Sequence, residues 1–278
     1  MKSLPLTQPF SLHETLVSGQ FFQWQPYRDG YLLQTGGKVF FLFQQDNTLH
    51  YEGINTEISP EFLNHFFRLD EDIDQVFKQW NYDPFLTEIY QQYRGLRLLR
   101  QDPWECTLGF LLSMASNIPR ITGNILTIQQ KYGRSVRYQD TRIYLTPPPD
   151  QLSHLTVEAL YELGIGFRAK YLHQLLRTLQ TDPGVIENLR PLTYPEAKVE
   201  LTGFYGIGDK VADCVLLFSL DQTEAFPTDT WIIKVLHQHY FSPQIRNPSA
   251  LAALARKRFG KYAGYAQQYL FHYARMGQ

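Results

Sequence analysis

The stretch LTGFYGIGDKVADCVLLFSL, residues 201–220, constrains the fold of this chain more than any other. It reads as the end of one helix, a hairpin bounded by Gly203, Gly206 and Gly208, and a second helix that starts at Asp209. Lys210 then falls in the first turn of that second helix, where unpaired N–H groups and the positive end of the macrodipole disfavour a second cation. A lysine there is poorly placed for stability and well placed for reactivity. The same turn presents backbone N–H groups to an anion and needs no charged side chain to do so. It is not a P-loop, because G-x-x-x-x-G-K-[ST] is absent, and no parallel βαβ pattern precedes it as a dinucleotide fold requires. That leaves a phosphate of a larger polymer as the anion. A helix-hairpin-helix also serves as a purely structural element or a passive grip on DNA.

At 278 residues the chain suits two or three packed domains. Residues 20–52 contain short aromatic and β-branched runs, QFFQW, GYLLQT, KVFFLF and TLHYEG, separated by Asp29-Gly30, Gly36-Gly37 and Asp46-Asn47. Turn dipeptides at that spacing predict an antiparallel meander. From Ser59-Pro60, an N-cap followed by proline, the pattern turns helical and stays so. The first domain is therefore α+β, over residues 1–93. Further on, helices are expected from about Pro103, after Asn117-Ile118-Pro119, over about 156–163 and from about Trp231. Thr193 with Glu196 forms a capping box for the helix entering the main hairpin, and the GIGFRAKY segment repeats the helix, Gly-x-Gly, helix pattern on a smaller scale.

No stretch approaches a membrane span, and MKSLPLTQPF lacks the apolar run of a signal peptide, so the expected location is cytosolic, on the nucleoid of a bacterium or in a nucleus. Only Cys106 and Cys214 occur, too few for a structural zinc site or a four-cysteine cluster. A net charge of −1 argues against an unspecialised polyanion binder. The charge is nonetheless segregated. Asp70, Glu71, Asp72 and Asp74 crowd the segment before residue 91, Arg94, Arg97, Arg100, Arg120, Lys131, Arg134, Arg137 and Arg142 follow it, and no acidic residue occurs after Asp229. Such asymmetry makes either a positive face for phosphates or merely solvated helix faces.

A lysine amine is a nucleophile only when deprotonated, and desolvation at a helix N-terminus favours that form. Asp229 lies nineteen positions beyond Lys210, one helix and one loop, just before another helix. Its commonest role there is an N-cap, but the spacing also brings both helix N-termini to one cleft.

The run GIGDKVADC followed by FPTDTW closely resembles the 8-oxoguanine DNA glycosylase/lyase family of the helix-hairpin-helix glycosylase superfamily, whose pattern is G-x-G-x-K-V-A-D-C and then P-x-D. The resemblance extends over nearly the whole chain. SGQFFQW at 18–24, GLRLLRQDPWEC at 95–106, LGIGFRAKY at 163–171 and YAGYAQQYLF at 262–271 are similar to further family motifs in the same order. It implies an N-terminal antiparallel sheet domain followed by two mostly helical domains over 94–278, with the helix-hairpin-helix at about 194–220 and the active site in the cleft between the helical domains. Lys210 would attack the sugar C1′, displace the damaged base and form a Schiff base from which β-elimination nicks the strand. Asp229 would stabilise the oxocarbenium-like state. Relatives without lyase activity keep the aspartate and lack the lysine.

A base must leave the stack to be cut, which calls for a pocket with two flat walls and a reader of the base edge. By resemblance the walls are Phe271 and Cys214, Gln267 reads the Watson–Crick edge, and the Gly19 carbonyl accepts the N7 hydrogen found only in the oxidised base. Core packing would explain Phe271 and Cys214 equally, a surface amide Gln267, and a plain turn Gly19. Opposite the lesion, Arg120 and Arg168 match the family's arginine pair and Phe167 stands where a tyrosine wedge is found. The family's three asparagines read here Ala115-Ser116-Asn117, so Ala115 replaces a contact to the orphaned cytosine. Its loss should relax opposite-base discrimination by ~1–3 kcal/mol. The hairpin carries Phe204-Tyr205-Gly206 in place of Leu-Pro-Gly, and Trp231 stands where many members have histidine. The resemblance implies no required cofactor, a monovalent cation at the carbonyls of the hairpin around Gly206 and Gly208 in some relatives, no protein metal ligands, and a monomer acting on duplex DNA with a damaged base. Two other readings stay open: a glycosylase of the same fold for other damaged purines, and a non-catalytic helix-hairpin-helix DNA binder.

Overall fold

Two-residue turns close the hairpins of a five-stranded antiparallel sheet. In the computed structural model, which describes residues 1–277, its strands are β1 (Lys2–Pro5), β2 (Trp24–Tyr27), β3 (Gly30–Thr35), β4 (Lys38–Gln45) and β5 (Thr48–Gly53), in the order β1-β5-β4-β3-β2. Gly36 and Gly37 both have positive φ, 54° and 73°, as a tight turn between Thr35 and Lys38 demands. Cross-strand pairs such as Leu33 with Phe40 and Leu42 with Tyr51 set the register.

Alternation along β4 buries both faces of this sheet. Phe40 and Leu42 join Leu33, Leu49 and Tyr51 against the helices Leu12–Val17 and Pro60–Phe66. Val39 and Phe41 face the other way, with Leu32, and pack on Ile143 and Leu145. Ile143 belongs to a second hairpin, β6 (Ser135–Tyr138) and β7 (Thr141–Tyr144), folded back onto the sheet from the middle of the chain. Polar contacts lock it there: Tyr27 Oη donates to the Asp140 carboxylate (2.7 Å) and Tyr138 Oη to Glu52 (2.9 Å).

Two elements differ from the sequence expectation. β6 and β7 lie inside a segment that reads as helical, because their alternation is short and interrupted by Arg137 and Arg142. The QFFQW run is not a strand until Trp24. Its residues 20–23 are all buried: Phe21 sits in the core under the sheet, Phe22 in the helical core, and Gln20 exchanges hydrogen bonds with Arg97 O and Leu99 N. Aromatic density there serves two cores rather than a pleat.

The helical part is organised around the helix Asp209–Ser219, in which residues 211–219 are all buried. It packs against Pro103–Leu112 and Tyr194–Thr202. Local capping rules hold at most starts. Ser59, Asp102, Asn117 and Asp229 each accept from the backbone N–H three residues on, and Thr193 and Glu196 form the expected capping box.

Glu105, in the first turn of the Pro103–Leu112 helix, ties that helix to the sheet. Its carboxyl oxygens accept from Thr35 Oγ1 (2.7 Å) and Gly36 N (3.1 Å). Burial, reinforced by nearby Asp102, pushes the Glu105 carboxyl up to about 8. In the unfolded chain the group titrates near ~4.3. Between those values the folded protein holds a proton that the unfolded chain has lost, so this contribution to stability is full below the lower value and falls as pH rises through the upper one. Thermal unfolding from about pH 5 to 9 should show Glu105→Gln with a shallower decline than wild type, the two diverging by at most ~1.4 kcal/mol per pH unit. Parallel declines would exclude Glu105 as the source.

Candidate active site

The hairpin delivers the N-terminus of the Asp209–Ser219 helix to a cavity of about 810 Å³. Gly208 is the N-cap and supplies no side chain, so the first N–H groups are left to a ligand or solvent. Gly206 adopts φ +88°, and a Cβ there would lie 2.3 Å from the Tyr171 ring, so both conformation and space require glycine. Lys210, Cys214, Gln267, Phe271, Gly19 and Asp229 all line the same cavity, which joins residues from opposite ends of the chain.

Lys210 Nζ donates to Ser113 Oγ at 2.8 Å and lies 5.2 Å from the centre of the Phe110 ring. Ser113 Oγ in turn donates to Phe110 O (2.6 Å), so the serine is oriented to accept from the amine. Ser113 was invisible in the sequence. It is the C-cap of the Pro103–Leu112 helix, and nothing distinguishes it there from any polar helix end. Asp229 fulfils the capping expectation, with Oδ1 accepting from Ile232 N at 3.0 Å, and stands beside Lys210 as well. Burial raises its carboxyl above the ordinary range, while the Ile232 N–H and the Lys210 charge pull it back down.

The walls of the cavity suit a flat ring. Phe271 is half-buried against the core and Cys214 is buried, its thiol pushed up to about 12 by that burial, so it lines the cavity as a neutral group. Gln267 is 4% exposed; its Nε2 donates to Pro227 O (2.9 Å) and its Oε1 has no partner. A buried, unpaired acceptor on a residue that lines a cavity is complementary to an N–H donor on a ligand. Gly19 has φ +82°, and a Cβ there would meet Arg275 Nη1 at 2.6 Å and Ile118 Cδ1 at 2.8 Å. Trp231 also lines the cavity.

The residues expected to face the opposite strand gather at one edge of the cavity. Ala115 is exposed with φ +46°, a left-handed conformation unusual for alanine. Arg168 is buried rather than free: Nη1 donates to Ile165 O (3.1 Å), Nη2 to Ala115 O (3.0 Å) and to Met114 O, and its guanidinium lies 4.7 Å from the Phe167 ring centre. It shapes the 114–115 loop from beneath. Arg120 is exposed, Asn117 caps the helix that carries it, and Phe167 stands 45% exposed. Phe167, Tyr171 and Tyr205 form a chain of edge-to-face contacts from this edge to the hairpin. Among the described residues no three His, Cys, Asp or Glu side chains gather to share a metal ion, and no helix is long and apolar enough to cross a membrane.

Comparison with known proteins adds three findings. Residues 3–107 match the family described as 8-oxoguanine DNA glycosylase, N-terminal domain. The chain is 31% identical to an N-glycosylase/DNA lyase of Arabidopsis thaliana over 97% of its length and 76% of that protein's, and 30% identical to a probable N-glycosylase/DNA lyase of Methanothermobacter thermautotrophicus over 77% and 74%. A crystal structure of Clostridium acetobutylicum 8-oxoguanine glycosylase/lyase, bound to double-stranded DNA with cytosine opposite 8-oxoG, superposes with a TM-score of 0.92 at 31% identity, covering 100% of this chain and 98% of that one.

The Gly206 contact makes a direct test of the hairpin. Gly206→Ala should cost ~1–3 kcal/mol of stability from strain and overpacking, and adding Tyr171→Ala should recover the overpacking share. Additive losses in chemical denaturation would show that the ring does not set the requirement.

Proposed function

The chain belongs to the 8-oxoguanine DNA glycosylase/lyase family, and from that membership we propose which of its residues carry out base release and strand cleavage. It is a bifunctional DNA glycosylase and AP lyase that excises 8-oxoguanine from duplex DNA in base excision repair. Lys210 is the nucleophile: its nitrogen bonds to the sugar C1′ as the bond from C1′ to the base breaks, with the electron pair leaving on the base. Sugar-ring opening gives a Schiff base, whose C2′ proton is lost as the 3′ C–O bond breaks. Asp229 stabilises the positive charge that develops on the sugar. The observation that carries this reading is the Lys210 amine held by Ser113 Oγ in the same cavity as the half-buried Asp229.

Phe271 and Cys214 sandwich the extruded base, Gln267 Oε1 accepts from its Watson–Crick edge, and the Gly19 carbonyl accepts its N7 hydrogen. Gly206 and Gly208 present the hairpin backbone to a phosphate, with a monovalent cation at the hairpin carbonyls as an accessory. Phe167 wedges the stack, and Arg120, Asn117 and the Ala115 loop held by Arg168 face the orphaned base. With Ala115 in place of an asparagine, preference for cytosine opposite the lesion is relaxed.

Borohydride trapping with 8-oxoguanine placed opposite each of the four bases should give a covalent adduct with wild type and none with Lys210→Gln. Absence of the wild-type adduct would sink the lyase mechanism. Asp229→Asn retains a good capping group and should slow base release at least tenfold while leaving the melting temperature and DNA affinity nearly unchanged. Ala115→Asn places a residue that tolerates left-handed φ where alanine is strained; it should raise both stability and the preference for cytosine, the latter by ~1–3 kcal/mol. Wild-type trapping confined to cytosine-opposed lesions would refute the relaxed preference.

A further inference from the structure

One cation in the cavity wall has no part in that mechanism. Arg275 projects from the last turn of the helix Ala263–Met276 and lines the cavity with the residues assigned above. Its Nη1 donates to Val17 O at 3.2 Å and its guanidinium carbon lies 5.4 Å from the Phe271 ring centre. A Cβ built on Gly19 would be 2.6 Å from Nη1 and 3.2 Å from Phe271 Cε1. Guanidinium, Gly19 backbone and Phe271 edge therefore share one corner of the cavity. Among the described residues no carboxylate pairs with Arg275. Burial lowers its guanidinium below the ordinary value while the Asp229 charge opposes that shift. A half-buried guanidinium carries five N–H donors, and one direct protein bond leaves most of them for a ligand.

We propose that Arg275 donates to the C8 carbonyl oxygen of the extruded base, reading the oxidised position and stabilising the charge that leaves with the base. The inference rests on the assignment of Gly19 and Phe271 to the base pocket made above. In 8-oxoguanine the N7–H donor and the C8=O acceptor are adjacent. A backbone carbonyl at Gly19 beside a guanidinium is an acceptor and donor pair of the complementary sense. Undamaged guanine presents an N7 acceptor and a C8–H there, so it offers the Gly19 carbonyl no donor and Arg275 no C8 oxygen. As the bond from C1′ to N9 breaks, the electron pair on N9 spreads through the imidazole ring onto O8. A fixed guanidinium at O8 then interacts more strongly with the departing base than with the intact nucleotide, which lowers the barrier. Arg275 transfers no proton; the base takes up, through solvent, the proton shed by the Lys210 nitrogen after it bonds to C1′.

The alternative occupant of such a guanidinium is a backbone phosphate, and two substrates separate the two. Single-turnover base release from 8-oxoguanine DNA and cleavage of a pre-formed abasic site are measured with wild type, Arg275→Met and Arg275→Lys, with melting temperatures alongside. An abasic site has phosphates and no base. Arg275→Met keeps apolar packing on Phe271 without donors; base release should fall at least tenfold more than abasic-site cleavage. Arg275→Lys keeps the charge without the planar fork and should fall between; it decides the matter alone if Arg275→Met does not fold. Equal losses on both substrates would assign Arg275 to a phosphate, and no loss on either would assign it to packing; each overturns the proposal. A wild-type protein that cleaves abasic DNA but leaves 8-oxoguanine in place would instead overturn the base-pocket assignment and this inference with it.

Discussion

The hairpin depends on one buried carboxylate. Asp213 is 1% exposed in the middle of the Asp209–Ser219 helix, flanked by apolar residues that fill the helical core. Tyr194 Oη donates to Oδ1 (2.8 Å), Lys198 Nζ to Oδ2 (2.9 Å), and Arg256 supports the tyrosine hydroxyl from a third helix (2.9 Å). A charge so deep is tolerated only with partners, and breaking such a pair typically costs ~3–5 kcal/mol. Because both partners come from the helix Tyr194–Thr202, the network fixes the rotation of one hairpin helix against the other. Lys210 and Cys214 are four residues apart on the same helix and therefore share a face. With Asp213 pinned toward Lys198, that face is turned to the cavity. Nucleophile and pocket wall are set by a polar contact on the flank of the same helix, one turn along from Lys210.

Backbone conformation supplies the second level of control. Gly19, Gly206 and Ala115 all have left-handed φ; Gly19 and Ala115 line the cavity, and Gly206 lies in the hairpin that leads into it. At the two glycines a side chain would strike Arg275 and Phe271 or Tyr171, so the space is spoken for by aromatic and cationic groups. At Ala115 the strain is carried instead by hydrogen bonds from Arg168 to the loop carbonyls. The loop shape survives without the residue type that would adopt it most easily.

What could be read in the sequence follows the range of the interactions. Helix starts at Ser59, Thr193 and Asp229 were legible because a cap and its N–H partner lie within three residues. The hairpin was legible for the same reason. The β6–β7 hairpin was not, because its reason for being extended is the sheet face that it covers, over ninety residues upstream of it. Ser113 and Arg275 escaped as well: their significance comes from Lys210 and Gly19, 97 and 256 positions away. Arg168 was identified by motif, but its commitment to the carbonyls of 114 and 115 could be known only from the packed chain.

The segment 20–23 carries a consequence for how this chain can change over evolutionary time. Phe21 meets Phe66 beneath the sheet, Phe22 meets Phe110 beside the cavity, and Gln20 bonds the chain segment that runs between the two cores. Three consecutive residues thus answer to two cores at once. A substitution that one core would absorb by repacking shifts the backbone on which the other depends, so drift here must satisfy both together. Such a stretch acts as a seam, constrained from both sides at once.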